Sequence, residues 1–123
     1  MNKVLRVVFA AICFLLVASC AESPAVQSVK NGHLTDYPHK SIGSAIDGFF
    51  ANPRWSSGTG TDGQTTLVNV RGDILYHEKR VTAELQFVLD DETGSFRINA
   101  LEFNGIPQNR LMITTLIERA FED

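Results

Sequence analysis

Two segments in which apolar and polar residues alternate, joined by a short turn, constrain the fold of this chain more than any other feature. The first is TTLVNVRGDILY at residues 65–76, the second is RVTAELQFVLD at residues 80–90, and the letters HEK lie around the turn. A period of two is typical of strands, and a turn this short joins antiparallel neighbours. The sequence therefore predicts a hairpin with one covered and one solvent-exposed face. The residues of the predicted covered face are Val68, Val70, Ile74, Tyr76, Val81, Ala83, Leu85, Phe87 and Leu89.

Two further strands are predicted beside this hairpin. SFRINALEFN, residues 95–104, follows the turn letters DETG, and RWSS, residues 54–57, is interpreted as a short fourth strand at an edge. The alternation in SFRINALEFN changes parity after Ala100. A β-bulge at that point would keep one face of the strand buried. The expected sheet is therefore a three- to four-stranded antiparallel meander.

Two segments with apolar residues at helical spacing flank the strands. HKSIGSAIDGFFANP, residues 39–53, predicts a helix with Ser41 as its N-cap. RLMITTLIERAF, residues 110–121, predicts a second helix, capped by Gln108 or Asn109. Both apolar stripes need cover, and the simplest arrangement packs both helices on one face of the sheet. The predicted fold class is α+β, with the element order α-β-β-β-β-α.

Cys20 ends an apolar segment near the start of the chain. Lys3 and Arg6 give a basic beginning, and residues 7–18 are apolar. This run is too short to span the hydrocarbon core of a bilayer, about 30 Å, and is typical of a secretory signal. Cys13 lies inside the run and would be removed with it. Cys20 would then be the sole cysteine of the secreted chain, so no internal disulfide would form.

The letters VASC, which end at Cys20, resemble the lipobox of bacterial lipoproteins. The resemblance implies transfer of diacylglycerol to the Cys20 thiol, cleavage before Cys20, and acylation of the new amino terminus with a chain such as palmitate. Ala21, rather than an aspartate, follows the cysteine, which in diderm lipoproteins implies the periplasmic face of the outer membrane. The expected organisation is a signal peptide at 1–19, an acylated tether at 20–31 and a single domain at 32–123.

The charge balance argues against nucleic acid as a partner. The chain has 11 basic and 14 acidic residues, and removal of Lys3 and Arg6 with the signal would make it more acidic. Apart from Lys79-Arg80 the basic residues are scattered singly. Phosphate contacts require clustered lysine and arginine. We therefore predict no nucleic-acid partner, and nothing in the composition calls for a cofactor.

Three short motifs carry weak signals of chemistry. GTGTDG, residues 58–63, has the letters of a dinucleotide loop but precedes a strand rather than a helix, so it is interpreted as a hairpin loop. His33 and His39 flank Asp36, but these residues alone are too few to form a typical zinc site. DDE, residues 90–92, lacks the spacing of a calcium loop and is interpreted as a solvated turn. We assign no catalytic residue and no metal ligand.

Candidate partner-binding residues come from the predicted solvent-exposed face of the hairpin and from the segment before it. They are Trp55, Asn69, Arg71, Asp73, Glu84 and Gln86. Tryptophan and arginine are enriched in interface hot spots. A lone tryptophan at a helix-to-strand junction is also typical of a core, so both interpretations of Trp55 stay open.

The sequence from residue 29 onwards resembles a family of small bacterial extracytoplasmic domains. The shared features are an NG-x-L start, a YP turn, a helix entry like SIG, paired phenylalanines followed by P-x-W, and an NG-x-PQN turn. Members occur as lipoproteins or as extracellular tails behind a membrane anchor or zinc ribbon, and some are labelled glucosyltransferase. The resemblance supplies no reaction. Because roughly 95 residues in two layers leave little room for a substrate pocket, we expect a membrane-anchored, non-catalytic binding or interaction module that presents a sheet face or an edge strand to an envelope partner. The alternative is a small glycosyltransferase-like or other carbohydrate-acting enzyme.

Overall fold

Residues 22–122 form three helices on one face of a five-stranded antiparallel sheet, as described by a computed structural model. The elements are α1 (Pro24–Lys30), α2 (Ile42–Phe49), β1 (Ala51–Thr59), β2 (Thr66–Tyr76), β3 (Lys79–Leu89), β4 (Phe96–Phe103), β5 (Ile106–Pro107) and α3 (Arg110–Glu122). The strands lie side by side in sequence order. The predicted α+β class and the meander are confirmed. The predicted signal peptide and Cys20 lie outside the described residues.

The β2–β3 hairpin is the centre of the sheet. The two strands pair over 11 residues, from Thr66 opposite Leu89 to Tyr76 opposite Lys79. From Val81 to Leu89, buried and half-buried side chains alternate without interruption. The buried residues of this face belong to the same core as those of all three helices, so the helices cover one side of the sheet only.

The β2–β3 turn places two residues with side chains in left-handed backbone conformations. His77 has φ 53° and Glu78 has φ 66°, as in a type I′ turn, which favours Asn-Gly. Replacing Glu78 with glycine should raise the free energy of unfolding by about 0.5 to 1 kcal/mol, because glycine adopts positive φ without strain. Urea denaturation measures the change. Glu78→Ala removes the same carboxylate but keeps the β-carbon, and should not stabilise. Equal midpoints for the two variants would contradict this explanation.

β4 contains the predicted bulge. Gln86 lies opposite Ala100 and Phe87 lies opposite Ile98, so Asn99 is an extra residue on β4. Before the bulge the even-numbered residues of β4 face the helices, and after it the odd-numbered residues do. The predicted β-bulge near Ala100 is confirmed. The apolar residues of β4 on the helix side are Phe96, Ile98, Leu101 and Phe103.

The sheet is larger than the three or four strands predicted. RWSS lies within β1, which extends over Ala51–Thr59 and forms one edge. At the other edge, β5 pairs with Glu102 and Phe103 because the Asn104-Gly105 turn folds the chain directly back. Both turn residues have positive φ, 51° and 82°, which asparagine and glycine tolerate.

The two predicted helices begin where their caps were expected. Ser41 Oγ accepts a hydrogen bond from the Ser44 amide at 3.1 Å at the start of α2. Of the two candidates for α3, Asn109 is the cap, and its Oδ1 accepts from the Met112 amide at 2.9 Å. Within residues 22–122, none of the helices has the length and hydropathy needed to cross a membrane.

α1 differs from the prediction. The sequence predicts an acylated tether over residues 20–31, whereas Pro24–Lys30 is helical and packs into the core. Ser23 Oγ caps the helix by accepting from the Val26 amide, and Val26 and Val29 are 2% and 0% exposed. Burial of two valine side chains contributes about 3 to 6 kcal/mol. The folded domain therefore begins before residue 32.

Candidate functional site

The sheet face opposite the helices is covered by no other element of the described chain. Five of the six predicted binding residues lie on it, because they occupy the positions of β2 and β3 that alternate with the core residues. We call the surface formed by Asn69, Arg71, Asp73, Glu84 and Gln86 the open face. The cross-strand pairs of this surface are Asn69–Gln86, Arg71–Glu84 and Asp73–Thr82.

A row of charged side chains crosses the open face at right angles to the strands. Arg54 of β1 lies opposite Arg71, Arg71 lies opposite Glu84, and Glu84 lies opposite Glu102 of β4. We call these four residues the charge row. Neighbouring strands are about 4.8 Å apart, so the charge row extends over roughly 14 Å. It carries two positive charges towards β1 and two negative charges towards β4.

The sequence did not point to the two outer members of the charge row. Arg54 follows a register irregularity in β1, and Glu102 follows the bulge in β4. Because of these irregularities, the alternation alone does not show which hairpin residue lies opposite Arg54 or Glu102. The available signal was the parity change after Ala100, which places Glu102 on the solvent-exposed side of β4.

Amide side chains form the neighbouring row. Asn99 Nδ2 donates to Gln86 Oε1 at 2.7 Å, and Gln86 lies opposite Asn69. Asn69 is only 9% exposed although no other element covers it, because its neighbours on the sheet shield it. Amides offer both donors and acceptors, so this row suits a polar partner.

The depression in the open face is shallow. Its volume is about 70 Å³, and it lies between Asn69, Glu84, Gln86, Ala100 and Glu102. Small-molecule sites usually have volumes of roughly 300 to 1,000 Å³. The depression therefore accommodates one protruding side chain of a partner rather than a separate ligand.

Trp55 lies on the helix side of the sheet, apart from the other five candidates. It is half-buried, and its ring stacks on Phe87 at 6.3 Å between centroids. Its Nε1 donates to Asp47 Oδ1 at 2.9 Å, and Lys30 Nζ lies 5.5 Å from its ring centroid. Trp55 thereby joins α1 and α2 to β1, and the structure does not bring it together with the open face.

A larger cleft of about 590 Å³ lies where the β1–β2 and β3–β4 loops meet. Its acidic lining residues are Asp62, Asp90, Asp91 and Glu92. Asp62 Oδ1 accepts from the Thr65 amide at 2.8 Å, and Asp90 Oδ1 accepts from the Glu92 amide at 2.9 Å. These carboxylates therefore stabilise the two turns.

Hydrogen bonds determine the charge of one acid in this cleft. The Thr65 hydroxyl and then the Thr65 and Gln64 amides donate to Asp62, which lowers the pKa of Asp62 to about 2. Such a carboxyl stays ionised at neutral pH. It therefore has no proton to donate as a general acid there.

The remaining motifs lie in turns and loops. GTGTDG is the tip of the β1–β2 hairpin, where the Gly60 amide donates to the Thr65 carbonyl at 2.7 Å, so the hairpin interpretation is confirmed. DDE lies in the exposed β3–β4 turn, and His33 and His39 are exposed between α1 and α2. Across residues 22–122, no three or more His, Cys, Asp or Glu side chains are grouped to hold a metal ion.

Comparisons of the chain with protein-family models, with curated proteins and with solved structures find no match. The functional conclusion therefore depends on the residues themselves. Two features carry it, the sequence around Cys20 and the open face with its charge row.

Proposed function

We propose that this protein is a lipid-anchored, non-catalytic binding module of the cell envelope, and that its open face binds an envelope protein. The anchor is supported by the resemblance of VASC at Cys20 to a lipobox after a basic and apolar start. Ala21 favours the periplasmic face of the outer membrane. Two or more acyl chains hold a protein to a bilayer far better than one.

The charge row is the observation that carries the binding proposal. Arg54 next to Arg71, and Glu84 next to Glu102, are like-charge neighbours on adjacent strands. Such pairs destabilise a sheet by amounts of up to about 1 kcal/mol each. A partner with acidic groups facing β1 and β2, and basic groups facing β3 and β4, would match this order of charges. The charge row therefore favours a partner with the opposite order of charges, and electrostatic complementarity of this kind gives specificity.

The shape of the open face favours a protein as this partner. The surface is a flat sheet with a depression of about 70 Å³, whereas small ligands occupy deeper sites. The larger cleft would be the place for a carbohydrate-acting enzyme. The carboxylates of Asp62 and Asp90 there accept turn hydrogen bonds, so we prefer the open face.

Site-specific photocrosslinking in living cells tests the proposal. A photoreactive amino acid at Gln86, in the middle of the open face, should give a crosslinked product of defined mass. The matched control is Glu118, an exposed position of α3 on the opposite side of the domain. Mass spectrometry should place the crosslinked peptide in a protein surface that carries both acidic and basic residues. A product at Gln86 no stronger than that at Glu118 would contradict the proposal.

A further inference from the structure

The beginning of the folded domain is fastened to the rest of it. Ser23 Oγ lies 2.6 Å from Ser57 Oγ of β1, and Lys30 Nζ donates to Glu22 Oε2 at 2.9 Å. Lys30 Nζ also lies 3.8 Å from Asp47 Oδ2 of α2. Residue 22 therefore belongs to the folded body, at the β1 edge of the sheet.

Buried side chains and close backbone packing hold α1 against the rest of the domain. Val26 and Val29 are buried in the core. The backbone of Gly43 in α2 passes so close to α1 that a β-carbon there would lie 3.0 Å from Lys30 Cβ and from the Lys30 carbonyl oxygen. Detaching α1 would expose the valines and remove this close packing. α1 is therefore a part of the domain and does not act as a flexible spacer.

The chain between the lipid attachment site and the domain is very short. Only Ala21 separates Cys20 from Glu22. Two residue steps span at most about 7 Å in any conformation. A lipid carried by Cys20 therefore enters the bilayer next to Ser57 and the β1 edge.

We infer that the β1 edge of this domain, with α1 beside it, lies against the lipid surface. The inference rests on the proposed lipid anchor at Cys20. The remaining strands then extend away from the membrane, and five strands span about 19 Å. The charge row begins at Arg54 beside the lipid and ends at Glu102 farthest from it. The partner is therefore a protein with a charged surface within roughly 20 Å of the same membrane.

Trp55 provides the probe, since it is the sole tryptophan of the chain and lies two residues from Ser57 on β1. Full-length lipidated protein is reconstituted into phospholipid vesicles that contain a dansyl-labelled headgroup lipid. Energy transfer from Trp55 to dansyl is then measured. A variant with 20 glycine and serine residues inserted between Ala21 and Glu22 has a flexible spacer of about 25 Å. Transfer should fall at least about twofold in this variant, whereas a two-residue insertion should change it little.

Vesicle flotation separates the two proposals. If wild type floats with the vesicles and the long insertion leaves energy transfer unchanged, the domain does not lie against the membrane and the inference is overturned. If wild type does not float, the anchor at Cys20 is itself contradicted, and the inference fails with it. If wild type and the long variant both float and energy transfer falls markedly in the long variant, the anchor at Cys20 and the position of the β1 edge against the membrane are both supported.

Discussion

Replacing Phe50 with alanine should lower the free energy of unfolding by about 3 to 5 kcal/mol, the largest loss that we expect from one substitution. Phe50 is 3% exposed and lies where α2 ends and β1 begins. It packs over Gly72 of β2, where a β-carbon would lie 2.9 Å from both Cβ and Cδ2 of Phe50. Domains of this size are stable by about 5 to 15 kcal/mol. The adjacent Phe49 is only half-buried, and Phe49→Ala is the milder control.

Gly72→Ala tests the same contact from the other side. The added methyl group would collide with Phe50 and with the Ala51 carbonyl oxygen, so it should cost about 1 to 3 kcal/mol in the wild-type background. In the Phe50→Ala background the same change should cost less, because the contact with Cδ2 is gone, although the contacts with the β-carbon of residue 50 and the Ala51 carbonyl oxygen remain. Urea unfolding followed by Trp55 fluorescence gives the coupling between the two sites. Strictly additive losses would show that the Phe50 ring does not occupy this space.

Cys20→Ala should abolish lipid attachment and block removal of the signal peptide. The sulfur that would carry diacylglycerol is lost, and with it the signal for cleavage and amino-terminal acylation that the lipobox resemblance implies. Incorporation of labelled palmitate should fall to background, and the uncleaved chain should migrate at a larger apparent mass than the mature protein. Cys13→Ala is the matched control, because Cys13 lies in the apolar run that is predicted to be removed. Equal labelling of wild type and Cys20→Ala would contradict the anchor.

The parts of the fold with long, regular patterns were predictable from the sequence. The period of two is clear in β2 and β3 despite the apolar exceptions Leu67, Leu75 and Val88, and α2 and α3 have clear apolar stripes. α1 was missed because seven residues with two buried valines give too little periodicity to be recognised. β5 was missed because two residues carry no pattern, and their pairing follows only from the geometry of the preceding turn.

The candidate site was predictable in its centre and not at its margins. Asn69, Arg71 and Glu84 follow directly from the alternation, since a residue between two core positions faces the other side of a strand. Trp55 alternates with Arg54 on β1 and faces the helices, where its indole donates a hydrogen bond to Asp47. Arg54 and Glu102 join the charge row only through the register of the edge strands, which depends on irregularities that the sequence shows incompletely.

The yield of the photocrosslink at Gln86 in the double variant Arg71→Glu, Glu84→Arg tests the binding proposal most directly. The double change keeps opposite charges at the Arg71–Glu84 pair and removes both like-charge pairs, so the free energy of unfolding should rise, by up to about 2 kcal/mol. From β1 to β4, the charge row then reads positive, negative, positive, negative instead of two positive charges followed by two negative ones. We predict that the yield falls at least about tenfold, equivalent to about 1.4 kcal/mol of binding free energy. A folded, membrane-bound double variant that crosslinks as well as wild type would contradict the open face as the binding site.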